Sequence, residues 1–121
     1  MTKEIKDKFD TDAAEHLVII GYPDNKEYLP DLVFWSCFPN DPVCWITYPY
    51  INSLKDEILA EAMAKFMTFH LGIGQEDMVE TACAFFIFEE RSNLIPMIIS
   101  LANCRKVSEW FDAANRAGNT G

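Results

Sequence analysis

Glycine, histidine and positive charge are all scarce in this sequence. Five glycines stand among 121 residues, two of them in the last four positions. No glycine-rich phosphate cradle is spaced out anywhere, and no nucleophile-elbow pattern accompanies a serine. The only histidines are His16 and His70, and no histidine, cysteine or acid stands three or four residues from His70 to complete a metal-binding helix face. Neither a metal nor a cofactor is expected. The four cysteines, Cys37, Cys44, Cys83 and Cys104, form no CxxC and lie in apolar surroundings, as buried reduced thiols do. Ten Lys and Arg face 19 Asp and Glu, a formal net charge of −9. Without clustered bases, direct binding to a nucleic-acid backbone is disfavoured and none is expected. No uninterrupted apolar run reaches the roughly 18 residues of a membrane span, and the opening MTKEIKDKFD lacks a signal-peptide core. A cytoplasmic protein in a reducing compartment, away from membranes, is the expectation.

What is present is an apolar, aromatic-rich chain of one-domain length, 1–121, with half its residues hydrophobic and 13% aromatic. Its organising stretch is LPDLVFWSCFPNDPV, residues 29–43. Pro30 suits a first helical turn, and Asn40-Asp41-Pro42 reads as the end of one helix and the cap and first position of the next. Before it, Asp10 or Asp12 caps a helix running to about Ile20, ended by Gly21-Tyr22-Pro23. After it, Ser53 and Asp56 suggest a capping box for a helix over 54–71, with Glu61 and Lys65 as an i,i+4 pair and Gly72 as its stop. Further helices are expected over 75–89, over 94–102, which is apolar nearly all round and so central and buried, and over 105–117. The competing possibility is α+β, with hairpins at 32–50 and 82–101. LVFWSCF and VCWITYPY are rich in aromatic and β-branched residues, and AFFIF is a short run without helical period.

Two phrases carry a resemblance. Lys8-Phe9-Asp10, Ala14-Glu15 and Leu17 fit KFDxxxAExL, and Leu29-Pro30, Leu32-Val33, Trp35, Asn40 and Pro42-Val43 fit LPxLLxWxxxxNxPV without a gap. In these phrases the chain resembles a small uncharacterised bacterial family of helical, HEAT-like domains, over residues 8–43. Phe38 and Asp41 stand where that family has an acid and a tryptophan. The resemblance implies an all-α fold of six to seven short helices stacked as antiparallel pairs, and it carries no catalytic residues.

Charge placement gives the functional handle. From Glu27 to Leu54 there is no base, and again none from Phe66 to Glu90. The acids Asp24, Glu27, Asp31 and Asp41 stand among Trp35, Trp45 and other aromatics, and Glu76, Asp77 and Glu80 open a later helix. Acids rimming aromatic anchors suit a basic protein partner, since opposite fields speed encounter and desolvated rings supply binding energy. The bland alternative is that the rings are core and the acids solvated helix faces. The expectation is a non-enzymatic protein-binding domain, an immunity- or antitoxin-like inhibitor of a basic partner such as a nuclease-type toxin. An adaptor or chaperone-like peptide-binding module is the alternative, and an enzyme built on His70 with a neighbouring acid is a third class.

Overall fold

The computed structural model describes residues 4–85 and 93–119. The described residues form seven α-helices: α1 (Thr11–Ile20), α2 (Leu29–Trp35), α3 (Cys44–Ser53), α4 (Asp56–Gly72), α5 (Glu76–Phe85), α6 (Leu94–Ala102) and α7 (Arg105–Asn119). A short 3-10 turn, Lys26–Tyr28, leads into α2. There is no strand among the described residues, so the chain is all-α and the hairpin alternative fails at 32–50. At 82–101 its flanks, 82–85 and 94–101, are helical, and 86–92 lie outside the described residues. The β propensity of the corner is overridden by a helical burial period. Leu29, Leu32, Val33, Ser36 and Cys37 are buried on one side of the corner, and Cys44, Thr47 and Ile51 on the other.

The helices fall into two compact units, Met1–Leu54 and Lys55–Gly121. Leu54 and Lys55 are both extended, with ψ of 151° and 152°, which interrupts the helix between α3 and α4. In the first unit α3 packs against both α1 and α2. The Asp10 carboxylate caps α1 by accepting from the Ala13 N–H (3.4 Å), and it also accepts from the Lys6 N–H (3.0 Å). At the other end of α1, the fully buried Asn25 side chain donates to the Leu17 carbonyl and to the Tyr50 hydroxyl, each at 2.9 Å. That bond pair ties the α1–α2 loop to α3. The Ser36 hydroxyl donates to the Leu32 carbonyl (2.6 Å) and pairs with the Thr47 hydroxyl (2.8 Å), joining α2 to α3.

The entry to α3 differs from expectation. The Asp41 side chain does not cap the helix, whose N-cap position is Val43, and Pro42 stands before the first helical residue. Instead the chain winds in through tight turns, with Cys44, Trp45 and Ile46 N–H groups bonded to the Asp41, Pro42 and Val43 carbonyls. The Val43 N–H is taken by the Lys8 carbonyl (3.3 Å), which holds the N-terminal lead-in onto the corner.

In the second unit α4 stacks on α6 and α5 on α7, while α4–α5 and α6–α7 contacts close each sequential pair. Its core is the arc Leu59, Ala62, Met63, Phe66, Met67 and His70 of α4, with Val79, Ala82, Cys83, Leu94, Ile98, Val107 and Phe111. Three local expectations are corrected here. Ser53 is the last residue of α3 and its hydroxyl donates to the Tyr50 carbonyl (2.6 Å), so the capping box with Asp56 does not form and Lys55 holds the N-cap position. Gly72 is still helical, and the stop is Gly74, at φ 77°. The Gly74 N–H bonds the Leu71 carbonyl and the Gln75 N–H bonds the His70 carbonyl, a Schellman ending that needs the left-handed residue where glycine stands. Finally, α6 is not central: Leu94 and Ile98 are fully buried, but Leu101 is 54% exposed. Its apolar outer side therefore meets solvent along part of its length.

Asn25 offers a direct check on the first unit. Asn25→Ala removes a donor from the buried Leu17 carbonyl and is expected to cost about 1–3 kcal/mol in urea unfolding. Asn25→Asp, which puts a carboxylate in the same dry place, is expected to cost more than the alanine.

Candidate functional site

The α2–α3 corner carries the surface of interest. Its inner side is closed by Ser36, Cys37, Cys44 and Thr47, all buried, and its outer side by rings. Phe34 meets Trp35 edge-on at 5.0 Å and Phe38 at 5.2 Å between ring centres, a half-buried aromatic ledge at the end of α2. Across the corner Trp45 is 71% exposed, and its indole Nε1–H donates to the Pro39 carbonyl at 3.1 Å. The ring is therefore held in place without being covered. On the lead-in, the Phe9 ring is also exposed and lies under the Lys8 ammonium at 5.2 Å.

The expected partner-binding residues divide between the two units. In the first, Asp24, Glu27 and Asp31 are exposed, Trp35 and Asp41 are half-buried and Trp45 is exposed. Asp24 precedes the 3-10 turn, Glu27 lies within it, Asp31 stands in the first turn of α2, and Asp41 precedes α3. In the second, Glu76, Asp77 and Glu80 are exposed on the first turns of α5, where negative charge suits the helix N-terminus. Glu76 is engaged by Lys106 of α7 at 2.9 Å, a bond that raises the lysine's pKa. That acid therefore already has an internal partner.

His70, Cys37 and Cys44 are tied up internally. The His70 Nδ1 lies 2.6 Å from the Gln75 Oε1, and the imidazole packs at 4.5 Å on Phe66 and edge-on to Phe69. It is the satisfied boundary histidine of α4, placed by the same Schellman ending that brings Gln75 back over the helix. His16 is exposed on α1. Cys37 donates to the Val33 carbonyl (3.3 Å) and Cys44 to the Ser36 carbonyl (3.4 Å), each thiol turned onto a backbone oxygen. Burial raises the Cys44 pKa, and the Asp41 charge pushes the same way. Among the described residues no group of three potential ligands could hold a metal ion. Nor is any described helix long and apolar enough to cross a membrane.

Sequence periodicity missed a second surface. An open groove of about 440 Å³ in the second unit is lined by Glu61, Ala64, Lys65, Thr68, Phe69 and Leu101. Phe69 is 61% exposed, and Ile73, one turn on, is exposed as well. The signal was available, because Phe69 falls at i+4 and i+8 from Lys65 and Glu61, the ion-paired (3.0 Å) polar face of α4. Ile19 gives the same lesson on α1, exposed at i+3, i+4 and i+7 from His16, Glu15 and Asp12.

Cys83 provides a pH test of the second core. Burial, with a smaller push from Glu80, raises its thiol to about 12. Once the thiol of the unfolded chain begins to ionise, near the ordinary cysteine value of 9.0, the folded form still holds its proton. Stability is therefore lost as pH rises, by about 1.4 kcal/mol per pH unit at most, up to about 12. The stability difference between the natural chain and Cys83→Ala, followed by urea unfolding from pH 7.5 to 10.5, is expected to move against the natural chain above pH 9 and to be flat below pH 8.

Comparisons with known proteins return no matching family model, no matching curated protein and no matching solved structure, so function has to be argued from this chain's own surfaces.

Proposed function

We propose that the chain is a non-enzymatic protein-binding domain of the bacterial cytoplasm, an immunity- or antitoxin-like inhibitor that covers the basic surface of a partner such as a nuclease-type toxin. One observation carries this. The corner of the first unit keeps Trp45 in solvent on a fixed hydrogen bond, within a stretch from Glu27 to Leu54 that has three acids and no base. An exposed tryptophan is costly to solubility and gains nothing for the core, which fits an anchor kept for an interface. The acids of the same stretch supply a field that draws a cationic partner and charges that discriminate among partners. The engagement of His70, Cys37 and Cys44 in internal bonds supports a binding role over a catalytic one. The HEAT-like resemblance of residues 8–43 fits the same picture of a helical scaffold working by its surface.

A second role, as an adaptor holding a peptide, is favoured by a separate observation, the apolar groove between Phe69 and Leu101. The two are separable by mutation. Reversing charge at Asp24, Glu27, Asp31 and Asp41 to lysine is expected to weaken capture of a co-purifying basic protein at least tenfold, with little effect from Phe69→Glu. Capture lost through Phe69→Glu and untouched by charge reversal would move the function to the groove. Calorimetric titration at 50 and 200 mM salt gives both numbers, and affinity is expected to fall as salt rises.

A further inference from the structure

We propose that Trp45 is the platform for an arginine side chain of the basic partner, with Asp41 as the counter-charge of its guanidinium; this rests on the function just proposed and specifies what that surface recognises. The Nε1–H bond to the Pro39 carbonyl at 3.1 Å fixes the indole by one edge, and at 71% exposure its π surface stays open to solvent. A fixed, open tryptophan face attracts a cation, and of the three aromatic types it does so best. Asp41 lies one turn before Trp45 on the entry to α3, where the Asp41 carbonyl accepts from the Cys44 N–H and the Pro42 carbonyl from the Trp45 N–H. Asp41 is half-buried there and keeps part of its surface in solvent.

The corner already shows this chemistry once. The Lys8 ammonium sits over the Phe9 ring at 5.2 Å, and the Lys8 carbonyl is bonded to the Val43 N–H, so the pair stands on the same corner. Lys8 thereby has its own ring, and from Glu27 to Leu54 the sequence offers Trp45 no base. The opposing effect is the half positive charge of the α3 N-terminus, which repels any cation brought to Trp45. A full carboxylate at Asp41 outweighs it. The same opposition selects between cations, because a compact ammonium gains little from stacking, whereas the planar, weakly hydrated guanidinium covers the indole and still presents N–H groups to a carboxylate.

The test uses the full chain, labelled with nitrogen-15, and three probes of equal length: tetra-arginine, tetra-lysine and tetra-citrulline peptides. Trp45→Phe assigns the Trp45 indole signal among those of Trp35, Trp45 and Trp110. Tetra-arginine is expected to shift that signal and to bind at least threefold tighter than tetra-lysine, with no measurable binding of the uncharged citrulline peptide. Trp45→Ala and Asp41→Asn are each expected to weaken tetra-arginine at least threefold. Trp45→Phe, which keeps a ring, is expected to fall between the natural chain and the alanine. Unchanged amide spectra elsewhere establish that the variants fold. Citrulline binding as well as arginine would overturn the inference and make Trp45 a plain apolar anchor. So would tetra-arginine binding that ignores Trp45→Ala. If a basic protein is captured through the acidic face while arginine binding ignores Trp45, only the arginine assignment falls. If arginine binds through Trp45 but no basic protein is captured, only the inhibitor function falls.

Discussion

Two hydroxyl groups buried where α2 meets α3 set the terms for the first unit. Ser36 and Thr47 are wholly shielded from water, and each hydroxyl has a single hydrogen to place. With the Ser36 hydrogen on the Leu32 carbonyl at 2.6 Å, the 2.8 Å contact leaves Thr47 to complete the pair. Unpaired in that position, either group would cost about 1–3 kcal/mol, so the two helices are held in the register that pairs them. Fixing Thr47 on the inside fixes Trp45, two residues earlier, on the outside, because successive α-helical positions turn by about 100°. The exposed tryptophan is thus a consequence of the buried pair. Asn25 does the same work at the far end of α3, where its amide joins Leu17 to Tyr50.

The second unit is held differently. Its core is almost purely apolar, with alternate helices stacked, and its polar fastening sits at an edge, where Gly74 turns the chain and Gln75 meets His70. Exposed ion pairs such as Glu61–Lys65 and Glu76–Lys106 add little to stability in water. What they do is order the surface: the first borders the apolar groove and the second neutralises part of the acidic turn of α5. Surface character in this unit therefore follows from which acids are already paired.

Helix existence was legible in the sequence wherever an amphipathic period was long, as in 56–72, while for the cap of α1 the sequence allows Asp10 or Asp12 and the structure has Asp10. The corner was harder, because its helical period runs through Ser36 and Thr47, which count as polar and so hide the repeat that burial reveals. Boundaries failed where backbone conformation decided them. Nothing in Ser53-Leu54-Lys55 announces two extended residues, and choosing between Gly72 and Gly74 requires knowing which carries a positive φ. The buried placement expected for 94–102 failed for another reason: a segment whose one polar side chain is Ser100 has too weak a period to say which side faces out, and Leu101 faces out. Of the candidate site, the acids were readable as a charge pattern. Trp45 was readable as a candidate anchor, but telling it from a core ring needed its exposure and the Pro39 carbonyl that holds it.

The central claim is that residues 32–50 form a helical corner whose inner hydroxyl pair keeps Trp45 turned to solvent. Nuclear Overhauser contacts and proton exchange over this segment test it most directly. The expected result is strong amide-to-amide contacts through 44–53, a slowly exchanging Thr47 hydroxyl or amide, and a Trp45 indole whose ring protons are reached by a soluble paramagnetic probe. Contacts between facing residues of 32–38 and 44–50 in a strand ladder, or a Trp45 ring protected from the probe, would contradict it.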